Sequence, residues 1–437
     1  MVLSCLPISP RLCDSARDLL YDGENGRFSL ERPAPSLIVK IKCRPEDFRV
    51  EELPTVAPRD RGRFVLYRLT KRGLGTPEAI EAIRRRWDLP PDAVRHGGLK
   101  DRHALTVQYL TIFQGPERSL HQEHLDLEPV GRVDQPYAPS GFRGNRFTIV
   151  LRDLSDAEAA AALKAAGEIP RDGIPNYFDD QRFGSVGPSG DLIGRAWIAG
   201  DHERALWLAL AEPNDSDRPG DARRKALLRD LWGRWTEAKA ALDRSHARSI
   251  ITYLDDHPTD FRGAFARLRR DLRSIYFSAY QSHLWNLILG RFIEHLTRPD
   301  QRIPYAFRTA ELPIPVGLDP DQADRLASTR LPLPASRTPL GSDEVSELAR
   351  SVVSELGIAW EDLRVRHLKD VFLSKGDRAA LFRPSGWDQS ELVADDLYPG
   401  HKRLELAFEL PRGAYATLIV KRLTDAASRP AVGIEGR

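Results

Sequence analysis

The chain has 437 residues, longer than a usual single domain, so two domains, or one domain carrying a large insertion, are expected. Lys and Arg number 65 against 63 Asp and Glu, a formal net charge of +2, with 41% hydrophobic residues. Such a composition can bury a large core but excludes a uniformly basic coat, so any nucleic-acid-binding surface has to be local. No run of 18 apolar residues occurs, which argues against a membrane-spanning helix. The three cysteines, Cys5, Cys13 and Cys43, have neither metal-ligand nor disulfide-framework spacing, which suits a reducing compartment.

Residues 1–36 read as an irregular N-terminal arm; without a basic n-region, and with Pro7 interrupting it, its start is not a signal peptide. Strands are expected at 37–42, 48–52 and 64–69, where β-branched and aromatic runs are separated by Pro and Gly clusters. A helix follows from Thr76, with Thr76 as N-cap, Pro77 in the first turn and Arg84, Arg85 and Arg86 at the C-terminal end.

The stretch 97–110 is the first with a chemical character. Gly97 and Gly98 open it, Lys100, Asp101, Arg102 and His103 set four ionisable side chains in a row, and Leu105, Val107 and Tyr109 then alternate with Thr106, Gln108 and Leu110. The alternation is that of a half-buried strand, which puts the polar cluster on the turn leading into it. Asp101, between Lys100 and Arg102, is the expected reactive group, because adjacent positive charge favours the carboxylate and so a nucleophile or base. The competing reading is a solvated charged turn.

A strand at 144–152 precedes an Ala-rich helix from Ser155, with Glu158 completing a capping box. At 174–184 comes the second unusual stretch, Ile174-Pro175-Asn176-Tyr177-Phe178-Asp179-Asp180-Gln181-Arg182-Phe183-Gly184, which fits neither a strand nor a helix period. Asn176 and Gln181 can read a base edge and the aromatics can stack on a base face; an aromatic core loop is the other reading.

From 201 to 383 helical periods dominate, at 203–211, 223–242, 247–255, 262–296 and 343–356. Between Arg218 and Arg273 fourteen Lys or Arg stand against eight Asp or Glu, with Trp232, Trp235, Tyr253 and Phe261 interleaved. This is either a phosphate-tracking face or a solvated helical surface. The segment 305–337 is Pro-rich and reads as extended connections. Strand texture resumes at 378–384 and 402–410, and 410–420 turns from strand into helix. Strands thus bracket a helical middle, as in a sheet domain carrying an insertion. His121 and His124 are spaced for one helix face, without a third ligand nearby. Ile434-Glu435-Gly436-Arg437 matches a protease-recognition tetrapeptide carried by expression vectors and has no functional weight.

Four stretches in order resemble the TruD family of tRNA pseudouridine synthases: Pro45-Glu46-Asp47-Phe48-Arg49-Val50-Glu51; Gly98 to Gln108; Pro175-Asn176-Tyr177-Phe178 with Gln181-Arg182-Phe183-Gly184; and Leu410-Pro411-Arg412-Gly413-Ala414-Tyr415-Ala416-Thr417. Ser278-Ala279-Tyr280-Gln281-Ser282, ahead of Leu284-Trp285-Asn286, is a fifth. The resemblance implies an α+β fold: a pseudouridine-synthase catalytic domain with a mixed, largely antiparallel sheet, interrupted by a mostly helical α/β insertion domain. The expected division is an arm at 1–36, the catalytic domain at 37–200 and 389–430, the insertion at 201–388 and a tail at 431–437. It further implies that Asp101 is the catalytic aspartate, Lys42 its basic partner, and Phe48, Asn176, Phe178 and Tyr415 the substrate contacts. Tyr415 stands where some relatives would carry phenylalanine, keeping the stacking face and adding a hydroxyl.

The implied activity is isomerisation of a tRNA uridine, expected at position 13 in the D-arm, to pseudouridine, by a cytoplasmic monomer that needs no cofactor or metal and no membrane. Asp101 could attack the sugar C1′, add to C6 of the base, or take a proton from C2′. Two rival readings are a non-catalytic RNA-binding protein of the same fold and a glycosidic-bond hydrolase, which would need a second carboxylate and a water site.

Overall fold

The structure, a computed structural model, describes residues 40–428. The arm at 1–36, residues 37–39 of the strand expected at 37–42, and the tail at 431–437 lie outside the described residues; of 40–42, Lys40 alone forms a bridge, to Arg152, and no strand is formed there. The chain forms two compact units, Met1–Gly173 with Arg383–Arg437, and Ile174–Phe382. The division falls earlier than the expected 200/201 because Ile174 and Pro175 pair with Phe382 and Leu381, which binds the ends of the second unit to each other. Among the described residues no helix is long and apolar enough to cross a membrane.

Unit 1 begins with β1 (Phe48–Pro54), β2 (Phe64–Arg72), α1 (Thr76–Trp87), β3 (Val94–His96), β4 (Leu105–Phe113), β5 (Leu120–Gln122), β6 (Leu125–Val133), β7 (Phe142–Leu154) and α2 (Asp156–Asp172). Unit 2 follows with β8 (Ile174–Pro175), α3 (Ile193–Ile198), α4 (His202–Leu210), α5 (Pro219–Asp230), α6 (Trp235–Ala241), α7 (His246–Asp256), α8 (Phe261–Ala266) and α9 (Arg270–Leu296). It continues through β9 (Arg302–Phe307), β10 (Ala310–Pro315), α10 (Pro320–Ser328), β11 (Arg330–Pro332), α11 (Glu344–Glu355), β12 (Asp377–Ala379) and β13 (Leu381–Phe382). The chain then returns to unit 1 with β14 (Ser385–Gln389), β15 (Val393–Ala394), β16 (Lys402–Pro411) and α12 (Ala416–Ser428).

The unit 1 sheet runs β14-β16-β7-β1-β4-β2-β6-β5, with β15 on β16 and β3 on β4. Only β1 and β4 are parallel, so the fold is α+β with a mixed, largely antiparallel sheet. Ala79 and Ile83, one turn apart on α1, are buried among Val65, Tyr67 and Leu69 of β2, Leu110 and Ile112 of β4, and Leu127 of β6. The other face gathers Leu66, Val133, Tyr137 and Phe142.

Several local expectations change. Gly75, not Thr76, caps α1, because the Thr76 hydroxyl is engaged elsewhere. On β4 the alternation is present but inverted: Thr106 and Gln108 are fully buried while Leu105, Val107 and Tyr109 are half-buried. The helix expected at 223–242 breaks at Gly233, whose φ of 83° favours glycine. That at 262–296 breaks at 267–269, where Leu268 is buried and its carbonyl accepts from Arg273. The Pro-rich 305–337 holds the β9–β10 hairpin and α10. His121 and His124 lie on a β-hairpin, not a helix, with His121 paired to Asp126.

In unit 2, α9 buries residues nearly all round, among them Phe277, Tyr280, Leu284, Trp285, Ile288 and Phe292, which makes it the core of the unit. His283 on the same helix has a buried Nδ1 with no hydrogen-bond partner among the described residues. Burial, then the Arg195 charge, pushes the His283 imidazole down to about 4 from an ordinary 6.5. The native state therefore stays neutral while the unfolded chain takes up a proton, so stability present above pH 6.5 is lost as the pH falls toward 4. The full effect is up to about 3 kcal/mol. Thermal melts between pH 7.5 and 4.5 should show this acid loss in the wild type, and a shallower one in His283→Gln.

Candidate active site

The turn at 97–104 is held by main-chain and side-chain contacts from three elements. Gly97 has to be glycine: a Cβ there would lie 2.8 Å from the Phe142 ring and 3.0 Å from that of Tyr137. The Gly98 carbonyl accepts from His96 Nδ1 at 3.0 Å and Gln108 Nε2 at 3.3 Å. Burial lowers the His96 pKa below its ordinary value, and since a carbonyl can only accept, its Nδ1 carries the proton. Gln108 Oε1 accepts from the Thr76 hydroxyl at 2.8 Å, and that hydroxyl accepts from Lys100 N at 3.0 Å.

Beneath the turn lies Lys71 of β2, 1% exposed. Its ammonium donates to the carbonyls of Leu74 at 2.6 Å, Asp101 at 2.8 Å and Lys100 at 3.4 Å. A charge this deep is tolerated only when its N–H groups are satisfied, so the ammonium and the turn depend on each other.

The Asp101 side chain, 25% exposed, meets the Lys42 ammonium at 2.9 Å through Oδ2. Lys42, itself 15% exposed, also lies 4.0 Å over the ring of buried Phe48. The sequence neighbours expected to face Asp101 turn elsewhere. Lys100 pairs with Glu52 at 2.7 Å, both buried, and Arg102 pairs with Glu78 at 3.2 Å. Glu52 Oε2 also accepts from Tyr109 N at 2.9 Å and from the Tyr137 hydroxyl at 3.3 Å.

Lys42 has a φ of 60°, a costly conformation for a non-glycine residue, so its segment needs anchoring. Arg152 of β7, 3% exposed, supplies it. Its guanidinium donates to Asp47 at 2.9 and 3.0 Å, and to Asp395 and Asp396 at 2.7 Å each. The hydrogen bond from Arg152 outweighs desolvation and holds Asp396 down at about 2. Burial pushes Asp395 up, but N–H groups of Leu397 and Asp153, together with Arg152, more than offset it, and its pKa too is lowered. The cluster thus ties the segment before β1 to the chain between β15 and β16.

In unit 2, Asn176 and Phe178 gather around Arg378. The Asn176 side chain donates to Ala379 O at 3.0 Å and accepts from Arg378 at 2.5 Å, while its carbonyl accepts from Arg378 Nε at 3.0 Å. The Arg378 guanidinium stacks 4.2 Å over Phe178 and 5.3 Å over Trp285. Asn286 of α9 clamps Phe178 from behind, accepting from its N–H and donating to its carbonyl, both at 2.8 Å. Arg182 lies 5.5 Å over the same ring and donates to the Ser278 and Ser282 hydroxyls of α9. Tyr415, half-buried, leads into α12 and its carbonyl accepts from Leu418 N.

Within unit 1 the structure therefore brings together Lys42, Phe48 and Asp101, and within unit 2 Asn176 and Phe178. Sequence reasoning gave no role to Lys71, Arg378 or Asn286, although Asn286 lies in the fifth matched stretch. A signal for Lys71 existed: it has the same strand parity as Val65, Tyr67 and Leu69, all buried, so it is a lysine at an inward position. Lys71→Met should lower stability by on the order of 2 to 3 kcal/mol by leaving buried carbonyls without a donor. Arg72→Ala, which removes the exposed pair with Glu46, should leave stability nearly unchanged. Chemical denaturation of the two variants checks the contrast.

Comparison with known proteins extends this geometry to a family. The family model for tRNA pseudouridine synthase D (TruD) matches residues 33–309 and 316–423. A match of this length, on this fold, defines a pseudouridine synthase, an isomerase acting on RNA. The chain belongs to the TruD family of tRNA pseudouridine synthases. It is 28% identical over 396 residues to "Probable tRNA pseudouridine synthase D 1" of Methanococcus maripaludis, covering 88% of this chain and 99% of that one. It is 26% identical to the tRNA pseudouridine synthase D of Leptospira interrogans, over 89% and 96% of the two chains. A crystal structure described as the "Putative tRNA pseudouridine synthase D (TruD)" from Methanosarcina mazei superposes with a TM-score of 0.70 at 26% identity, over 90% of this chain and 95% of that one.

Proposed function

We propose that this protein converts the uridine at position 13 of tRNA, in the D-arm, to pseudouridine, with Asp101 as the reacting carboxylate. The observation that carries this reading is the Lys42–Asp101 contact at 2.9 Å, on a turn whose backbone is held by a buried ammonium. In the reaction the C1′–N1 bond breaks, the base turns, and C5 bonds to C1′; C5 loses its proton and N1 gains one. No electron leaves the substrate, so the step needs no redox partner, and in this reading the enzyme works as a cytoplasmic monomer without a cofactor.

Lys42 on Oδ2 sets the plane of the Asp101 carboxylate, and its charge favours the ionised form that all three chemical routes require. Attack at C1′, addition at C6 and removal of the C2′ proton remain alternatives. Each needs the nucleotide out of its stack, which costs a few kcal/mol. Tyr415 is assigned to stack on it, at about 1 to 3 kcal/mol; Phe48, 2% exposed beneath the Lys42 ammonium, is assigned to seat that lysine, and Phe178 to a tRNA contact within unit 2. Asn176 is assigned to a base or sugar edge. An amide has two N–H groups and two lone pairs, so its bonds to Ala379 and Arg378 fix its orientation without exhausting it. Unit 2 is assigned as the family's insertion domain.

The test is positional. An unmodified tRNA transcript incubated with the protein should gain a single pseudouridine, at position 13, by mass-spectrometric mapping of every uridine. A transcript with cytidine at position 13 should gain none; modification elsewhere in either transcript contradicts the assignment.

A further inference from the structure

More than half of the cations in the basic helical stretch of unit 2 are engaged within the fold, while Arg218, Arg223, Arg244 and Arg262 remain exposed. Of the cations between 218 and 273, Arg224, Lys225, Arg234 and Lys239 pair with Asp221, Asp217, Glu237 and Asp255. Arg269 and Arg273 pair with Asp271 and Asp370, and Arg229 and Arg248 donate to the carbonyls of Ala211 and Lys239. These side chains mainly hold helices together.

A different segment keeps its charge at the surface. Residues 363–376 carry Arg364, Arg366, Lys369 and Lys375 against one acid, Asp370, a formal +3 on a chain whose total is +2. Asp370 is itself neutralised by both guanidinium nitrogens of Arg273, at 2.9 and 2.8 Å. Arg364, Lys369 and Lys375 are exposed and enter no side-chain ion pair among the described residues.

The segment has no helix or strand before β12, yet it is firmly held. Gln281 of α9 donates to the Ser374 carbonyl at 2.6 Å and accepts from its N–H at 3.1 Å. Arg270 donates to the Asp370 carbonyl at 3.1 Å and Trp197 to that of Arg366, also at 3.1 Å. Leu363, Leu368, Val371 and Leu373 are buried beneath it. Irregular loops of this length in compact domains are uncommon and usually functional.

Phe372 lies between buried Val371 and Leu373 and is the one of the three exposed to solvent. At 61% it is the most exposed large hydrophobic side chain among the described residues. A lone exposed apolar residue is ordinary. This one is a planar ring at the centre of a pinned loop, with Lys369 and Lys375 three residues to either side, within about 11 Å along the chain. A rigid aromatic ring flanked by available cations is the pattern that takes a base face and its phosphates.

We propose that the loop 363–376 is an RNA-docking element of unit 2, with Phe372 stacking on an unpaired base of the tRNA and Arg364, Lys369 and Lys375 facing the adjoining phosphates. The inference rests on tRNA being the substrate and adds a contact that none of the reacting groups supplies.

The test measures binding of an unmodified tRNA transcript to the full chain at several salt concentrations. Phe372→Ala should raise Kd about tenfold, with kcat/KM falling by the same factor. Phe372→Trp should bind as well as the wild type, whereas Phe372→Leu should behave like Phe372→Ala, because only a π face can stack. Lys369→Ala with Lys375→Ala should reduce the slope of log Kd against log salt by about two. All three substituted positions are exposed, and unchanged melting temperatures identify the losses as losses of contact. Wild-type affinity in Phe372→Ala overturns the proposal. So does full retention by Phe372→Leu, which would mark a generic apolar surface suited to a protein partner. Absence of pseudouridine formation by the wild type would refute the activity instead, and the binding series reads independently of it.

Discussion

A single buried ammonium sets the constraint on which the proposed active site depends. Lys71 has almost no solvent, and it donates to the carbonyls of Leu74, Lys100 and Asp101. Removing a charge from water costs several kcal/mol unless its protons are satisfied, so this turn cannot loosen without exposing or stranding the ammonium. Asp101 thereby receives a main chain that is already in place. Its carboxylate is then oriented by a second lysine arriving from another segment, and that segment is secured by the Arg152 cluster with Asp47, Asp395 and Asp396. Buried charge contacts at Lys71 and Arg152 thus lead to a more exposed pair, Lys42 and Asp101, whose side chains are 15% and 25% exposed.

The second unit solves a similar problem with amides and guanidinium planes. The Phe178 main chain, between β8 and the turn at 180–183, bonds to both ends of the Asn286 amide, like a rung of a ladder, and Arg378 covers the ring while holding Asn176. The guanidinium suits this double task because it stacks and donates in one plane, which an ammonium does not. α9 carries the arrangement: Ser278, Ser282 and Asn286 lie at successive turns, and Gln281 anchors the loop at 374.

What was legible in the sequence followed from local periodicity and from motifs. The strands β1, β2, β7 and β16, the capping box of Ser155 and Glu158, and the helical character of the middle all depend on near neighbours, and the structure contains them. The approach of Lys42 to Asp101, 59 positions apart, was implied by family resemblance and could not be read from periodicity. The charges flanking Asp101 were legible, but their partners were not: Lys100 goes to Glu52 because that carboxylate is buried on β1 and must be neutralised. The inverted face of β4 escaped for a related reason. Gln108 is buried because it donates to the Gly98 carbonyl and accepts from the Thr76 hydroxyl, which itself accepts from Lys100 N, while Thr106 is buried with no hydrogen-bond partner for its hydroxyl among the described residues. Helix breaks at Gly233 and Leu268 depend on tertiary packing or a single backbone angle, which a hydrophobic period does not report.

The central claim is that Asp101, oriented by Lys42, performs the chemistry, and its most direct test is tritium release from tRNA labelled at uridine C5, since forming the C5–C1′ bond expels that hydrogen. The wild-type protein should release tritium without any added cofactor. Asp101→Asn should release none while binding tRNA with wild-type affinity, and Lys42→Met should release it at least a hundredfold more slowly. Release by Asp101→Asn at the wild-type rate would contradict the account and remove the carboxylate from the centre of the site.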